Sequence, residues 1–226
     1  MATKDKLVFK VVLCGQANVG KTTLLGALTT GAAPQRTNAT IGVDFRWYEY
    51  DSQNGQKIKL QFWDTAGTER FQSSSPLTFR DARAIIFIYD ITERRTFDSM
   101  ETILGPALGS VGKIDPWVVV VGNKLDRQDT ERQVPSGEVA QICHRYNYTF
   151  METSATQHIG VKTMMNTLCT TLAERFSPKD CMPSSNSKTT LSRGFKLGEL
   201  PPPTDVGSQP PSVRAEITPR KASCEC

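Results

Sequence analysis

The feature that most constrains this chain is Gly15-Gln-Ala-Asn-Val-Gly-Lys-Thr22, a match to G-x-x-x-x-G-K-[ST]. It follows an apolar run over 7–14 and precedes Leu24, Leu25 and Leu28, whose spacing opens a helix. A chance match in a glycine-containing turn would lack that strand before it and that helix after it. Backbone N–H groups of such a loop ring phosphate oxygens, and the helix N-terminus adds partial positive charge. Lys21 is then placed to reach the outer phosphates, and the Thr22 hydroxyl to ligate magnesium.

The runs over 7–14, 84–89 and 117–121 are apolar almost throughout, as suits parallel strands covered on both faces by helices. Between the first two lie segments 43–51 and 57–63, joined around Asn54-Gly55. Asn-Gly is a hairpin signal because both residues tolerate the positive φ of a type I′ turn. In the second segment Ile58, Leu60 and Phe62 face one way, while Lys57, Lys59, Gln61 and Trp63 face the other. Trp63 therefore belongs to the more polar face. Val161, Met164, Met165, Leu168, Leu172 and Phe176 fall at helix-face spacing and predict a core stripe, not a cofactor box. A further helix follows Ser136 and carries Val139, Ile142 and Cys143 inward. The sum is an α/β fold: a mostly parallel sheet with one antiparallel edge strand.

A chain of 226 residues accommodates one sizeable domain with an extension. We expect a short extension over 1–6, a domain over 7–176 and a tail over 177–226. No run approaches the roughly 20 apolar residues that a membrane-spanning helix needs. The first apolar run is strand length and has no small-residue cleavage site after it, which argues against a signal peptide. Cys14, Cys143, Cys169 and Cys181 lack metal-ligand pairing and read as thiols of a reducing cytosol. The formal charge of +4 is too mild to argue for nucleic acid. Beyond 177 lie eight of the thirteen prolines, with many serines and threonines. Such a segment cannot offset its ordering entropy and reads as a disordered linker. As a flexible coil its roughly 50 residues span on the order of 40 Å.

Two further pieces select the nucleotide. Asp64-Thr-Ala-Gly67 follows the hairpin strand, with a carboxylate for magnesium and the Gly67 N–H for the γ-phosphate. Asn123-Lys-Leu-Asp126 follows the run over 117–121, and Asp126 can accept from the N1–H and 2-amino groups of guanine. Adenine lacks that donor pair and would leave a site carboxylate unpaired. Glu152-Thr-Ser-Ala155 ends another predicted strand and offers backbone N–H groups to the guanine carbonyl.

With these four motifs in order, the chain resembles the Rab family of Ras-like small GTPases over 7–176. The resemblance is carried also by Ile41-Gly-Val-Asp-Phe45, Lys59-Leu-Gln-Phe-Trp-Asp64, Glu69-Arg-Phe71 and Phe87-Ile-Tyr-Asp-Ile-Thr92. It implies a P-loop small-GTPase fold with six strands and helices on both faces, binding GTP or GDP with Mg2+. The implied nucleotide residues are Gly15, Gln16, Ala17, Asn18, Val19, Gly20, Lys21, Thr22, Thr23, Thr40, Gly67, Asn123, Lys124, Asp126, Ser154, Ala155 and Thr156. Thr22, Thr40 and Asp64 would hold the metal. Lys21, Thr40 and the residue at position 68 would serve hydrolysis. Residues 33–42 and 64–80 would form two switch segments that GTP holds and hydrolysis releases. Family members act in membrane traffic, through effector proteins that bind the GTP form. The resemblance also implies an exchange factor, a GTPase-activating protein, a GDP-dissociation inhibitor and a prenylation escort. The protein would be a monomer on the cytoplasmic face of an endomembrane, with a cytosolic pool. Cys224-Glu-Cys226 matches the C-x-C ending that receives geranylgeranyl groups in Rab proteins. Two such chains anchor stably where one anchors only marginally.

The departures from the family are specific. Thr68 stands where the family has the glutamine that orients the attacking water. Ala17 stands where relatives have glycine or serine. Slow intrinsic hydrolysis follows, with poor response to activators that rely on that glutamine; one supplying its own glutamine and arginine can still act. Ala33 replaces an aromatic that packs on guanine in many relatives, and Thr156 replaces a lysine. Asn18 takes a glycine position, and asparagine tolerates positive φ. Of an exposed aromatic triad, Phe45 and Trp63 fill two places, and the third aligns with Thr78, followed by Phe79. Ile41, Phe45, Trp63 and Phe79 are the expected effector surface. A second function fits the same residues: a non-hydrolysing scaffold that stays GTP-bound or cycles by exchange. A P-loop kinase using ATP fails on Asn123-Lys-Leu-Asp126.

Overall fold

Strand β1 (Leu7–Cys14) is buried along its whole length, and its alternate side chains serve two different cores. Leu7, Phe9, Val11 and Leu13 enter one; Val12 and Cys14 enter the other. The period of two thus turns a continuous apolar run into a strand covered on both faces. The computed structural model describes residues 7–31, 43–51, 57–65 and 76–176.

After β1 come α1 (Lys21–Thr30), β2 (Val43–Asp51), β3 (Lys57–Thr65), α2 (Pro76–Phe79), β4 (Ala84–Asp90), α3 (Arg94–Asp98) and α4 (Met100–Gly109). They are followed by β5 (Trp117–Asn123), a 3₁₀ turn (Leu125–Arg127), α5 (Gln128–Glu131), α6 (Ser136–Tyr146), β6 (Thr149–Glu152) and α7 (Val161–Arg175). The six strands form one sheet in the order β2-β3-β1-β4-β5-β6. Among the described strands only the β2–β3 pairing is antiparallel, and β2 lies at the edge. The expected sheet is therefore present; the Asn54-Gly55 turn lies outside the described residues. β3 buries Ile58, Leu60 and Phe62 and leaves Lys59, Gln61 and Trp63 half-buried on its other face.

One core joins the sheet to α1 and α7 through Leu24, Leu25, Leu28, Val161, Met164, Met165, Leu168 and Leu172. The other joins it to α3, α4 and α6 through Phe97, Met100, Leu104, Val139 and Cys143, with Ile142 half-buried beside them. β4 and β5 divide their side chains in the same way. Both strands run further than their apolar runs, to Asp90 and Asn123, which pair across the sheet. The parallel strands all end on one edge, at Cys14, Thr65, Asp90, Asn123 and Glu152. In open α/β sheets ligands bind beyond the carboxyl ends of the strands, where strand order reverses. Here β1 is flanked by β3 on one side and β4 on the other, and the loop after β1 opens into that crevice.

Candidate nucleotide-binding site

The loop between β1 and α1 is built on two glycines whose backbone conformations L side chains rarely adopt. Gly15 has φ 136°, and a Cβ there would lie 2.1 Å from the Ile88 carbonyl oxygen. Gly20 has φ 92°, and its Cβ would meet Asn123 Nδ2 at 2.5 Å. Asn18, at φ 63°, takes the left-handed conformation that asparagine accepts more readily than most residues. The chain is thereby folded close around Lys21, which is buried, and whose Nζ donates to the carbonyls of Gly15 at 3.0 Å and Gln16 at 2.8 Å. Burial holds the Lys21 pKa below its ordinary value, against the pull of Asp64 and Cys14.

Thr22, in the first turn of α1, donates its hydroxyl to Asp64 Oδ2 at 2.5 Å. Asp64 is fully buried near the end of β3, and its Oδ1 has no hydrogen-bond partner among the described residues. Desolvation raises its pKa, opposed by the Thr22 bond and by Lys21. An orphaned buried carboxylate oxygen beside a hydroxyl is costly without a cation. The pair fits magnesium, which takes one or two carboxylates and completes its shell with phosphate and water.

The second half of the site hangs on Asn123, which is buried at the end of β5. Its Nδ2 donates to the Val19 carbonyl at 2.8 Å. Its Oδ1 accepts from Thr153 Oγ1 at 3.3 Å and from the Ala155 N–H at 3.2 Å. One side chain thus ties the phosphate loop to the loop after β6. Lys124 next to it is left-handed, at φ 68°, and its ammonium pairs with Asp90. The Asp126 Oδ1 accepts from the hydroxyls of Ser154 and, at 3.4 Å, Thr156. That leaves Asp126 Oδ2 with no partner among the described residues. Gly20, Thr23, Asn123, Lys124, Asp126, Arg127, Ala155 and Thr156 line a cleft of about 190 Å³.

The structure thus brings the phosphate loop, Asp64, Asn123, Lys124, Asp126, Ser154, Ala155 and Thr156 together on one edge of the sheet. Thr40, Ile41, Gly67, Thr68, Ala33, Cys224 and Cys226 lie outside the described residues. In the loop after β6, expected to offer backbone N–H groups to the guanine carbonyl, the Ala155 N–H donates to Asn123 Oδ1. The Ser154 and Gln157 N–H groups are also occupied, by Ile159 O and Ser154 Oγ. The surface set needs a correction too. Phe45 is exposed and Trp63 half-buried, edge-on to each other at 5.7 Å, with Lys10 Nζ 4.1 Å from the Trp63 ring centroid. Phe79 is not on the surface: it is buried in the second core, because α2 docks that side onto the sheet and turns Leu77 outward at 67% exposure. Sequence reasoning passed over Asp90, Thr153 and Trp47. Trp47 is as exposed as Phe45 and stacks edge-on against it at 5.0 Å; alternation along β2 was the available signal.

Residues 10–174 match the Ras family. Ras-related protein Rab-26 of Bos taurus is 37% identical over 170 residues, which cover 75% of this chain and 65% of that protein. Ras-related protein Rab-33A of Mus musculus is 39% identical over 151 residues, covering 66% and 62%. Ras-related protein RAB1BV of Beta vulgaris is 32% identical over 203 residues, covering 87% and 90%. The chain thus spans a little under two thirds of the first two and nearly all of the third.

Proposed function

Because the chain belongs to the Ras family, and within it to the Rab-type small GTPases, we propose that it is a guanine-nucleotide switch of membrane traffic. It binds GTP or GDP with magnesium, recruits effectors in the GTP form and hydrolyses GTP slowly. The observation that carries this reading is Asp126. Its carboxylate is steadied through one oxygen by Ser154 and Thr156, the other has no partner among the described residues, and the residue lines the cleft beside the phosphate loop. That oxygen is suited to the N1–H and 2-amino donors of guanine. The Thr156 N–H, with no partner among the described residues, is the donor left for the guanine carbonyl.

At the other end of the cleft Lys21 exchanges its loop carbonyls for phosphate oxygens, carrying a positive charge to where charge develops during phosphoryl transfer. Thr22 and Asp64, with Thr40, would hold magnesium, which would neutralise phosphate charge. Thr40 and Gly67 would contact the γ-phosphate and so report its presence. Thr68 is too short to hold an attacking water and touch the phosphate as well. This favours a low intrinsic rate, and with Ala17 it keeps the GTP-bound scaffold as a second reading.

Partners are effectors, an exchange factor, an activating protein, a GDP-dissociation inhibitor and a prenylation escort. Cys224 and Cys226 carry the lipid that holds a monomer to the cytoplasmic face of an endomembrane, with a cytosolic pool. The test is single-turnover GTP hydrolysis by the purified protein, wild type beside Thr68→Gln, with bound nucleotide identified at the outset. A slow wild type with a marked gain on substitution supports the switch. Ordinary rates in both discard the scaffold and the role given to position 68. Bound nucleotide that is not guanine, or GTP affinity untouched by Lys21→Ala and Asp126→Ala, sinks the whole reading.

A further inference from the structure

A second cavity among the described residues is larger than the nucleotide cleft and shares no residue with it. It lies where the end of α1, the edge strand β2 and the start of α7 meet, and its volume is about 580 Å³. Cavities of roughly 300–1,000 Å³ are the ones that take small molecules. The base is apolar: Leu28, Val161 and Met165 are each 5% exposed and belong to the first core. Tyr48 and Tyr50 pack on that core from one face of β2 and are half-buried. Gly31 ends α1 at φ 70°, and a Cβ there would meet nothing within 4 Å, so this corner stands open.

Around the base the lining is polar, and its charge has one sign. His158, Lys162 and Asn166 are exposed and therefore form the rim. No aspartate or glutamate is among the lining residues. The nearest carboxylates along β2 alternate with the two tyrosines and belong to its other face, where Glu49 meets Lys59 at 3.7 Å and Asp51 meets Lys57 at 4.0 Å. Neither Lys162 nor His158 has an ion-pair partner among the described residues. Lys162 also stands where its own helix disfavours it. It lies in the first turn of α7, which carries no acid, and the N-cap Gly160 supplies no side-chain bond. A helix N-terminus carries partial positive charge, so it repels a cation there and attracts an anion. An acidic group beside Lys162 would answer the ammonium and the helix end together.

We propose that this cavity binds a small soluble amphiphile with an apolar body and one anionic head, a carboxylate, sulfonate or phosphate. The body rests on Leu28, Val161, Met165 and the two tyrosines, and the head meets Lys162, His158 and the start of α7. The inference goes beyond the guanine reading and does not depend on it, since the two sites have no residue in common.

The experiment titrates the full chain, loaded with GDP and magnesium, with anilinonaphthalenesulfonate and, in parallel, with phenylnaphthylamine, the same ring body without the sulfonate. One sulfonate probe per chain is expected. Lys162→Glu should weaken it about tenfold and change the uncharged probe by less than about twofold. Asn166→Trp, which narrows the mouth, should weaken both. Decanoate should displace the bound sulfonate, and decanol should not. If Asn166→Trp fails to fold by circular dichroism, the decanoate and decanol arms decide in its place. An unchanged sulfonate affinity in Lys162→Glu overturns the proposal, as does equal weakening of both probes. Loss of the sulfonate in Trp47→Ala instead would place it on the exposed aromatics of β2, and displacement only by phosphatidylserine vesicles would make the partner a membrane surface; either result overturns the proposal. So does a sulfonate affinity that falls when GDP is added, which would put the probe in the nucleotide cleft. If the chain binds no GDP, the guanine reading falls, while a tenfold loss in Lys162→Glu still upholds this site.

Discussion

Asn123→Ala should unfold the protein more than it should blind it to guanine. The side chain is 2% exposed and makes three hydrogen bonds, to the Val19 carbonyl, the Thr153 hydroxyl and the Ala155 N–H. Alanine leaves the Val19 carbonyl and the Ala155 N–H without partners, while the Thr153 hydroxyl can turn elsewhere. Each orphaned buried group costs about 1–3 kcal/mol, so the expected loss for two is roughly 2–6 kcal/mol. Against a typical total of about 5–15 kcal/mol that is a large fraction. The assay is urea unfolding of nucleotide-free protein in EDTA, followed by circular dichroism, so that ligand linkage does not inflate the wild-type value. Asn123→Asp keeps the shape and the oxygen that accepts from Thr153 and Ala155, but sets a second oxygen against the Val19 carbonyl; it should be no more stable than the alanine variant. A midpoint within about 0.5 kcal/mol of wild type, with nucleotide affinity lost, would refute the argument and make Asn123 a base contact only.

Gly15→Ala sets a Cβ 2.1 Å from the Ile88 carbonyl oxygen at φ 136° and should cost more than about 3 kcal/mol in thermal unfolding; Gly31→Ala, at φ 70° with nothing within 4 Å, should cost about 1 kcal/mol. Equal costs would show that contact with β4 is not the constraint. Burial pushes Cys14 and Cys169 up to about 12 and Cys143 to about 11, so iodoacetamide at pH 8 should leave all three unmodified until the protein unfolds. Native-state labelling of any of them, read by peptide mass, refutes their burial. Asp90 has a depressed folded pKa, so its stabilisation is full above the unfolded carboxylate value and is lost as pH falls through the folded one. The stability gap between wild type and Asp90→Asn should therefore be constant near neutrality and shrink in acid. A gap that widens in acid denies the ion pair.

Motif chemistry was legible because it is local. The glycine positions, Lys21 and Thr22 lie within eight residues, and a strand and a helix on either side leave few ways to fold them. The sheet was legible for a related reason. Strands buried on both faces must be largely apolar, and β1, β4 and β5 are, with Lys10, Asp90 and Asn123 as their polar residues. Phe79 was misplaced because α2 has four residues, too few for a helical period to say which side faces the sheet.

The roles within the base site were illegible on different grounds. Asp90 and Lys124 are 34 positions apart in sequence, and what joins them is that β4 and β5 pair residue for residue up to Asp90 and Asn123. A register shifted by one residue would turn Asp90 to the opposite face of the sheet and leave Lys124 unheld. Asn123 has the same dependence: it reaches Val19 only because the loop after β1 and the end of β5 meet at one edge, with β4 between their strands. A tetrapeptide such as Asn123-Lys-Leu-Asp126 therefore identifies the ligand, since Asp126 carries the recognising chemistry itself. It does not say that the first residue braces two loops, or that the second is held by a strand end far back in the chain. Those roles are properties of strand pairing, and in this fold the pairing is set by packing on both faces of the sheet rather than by the residues that touch the nucleotide.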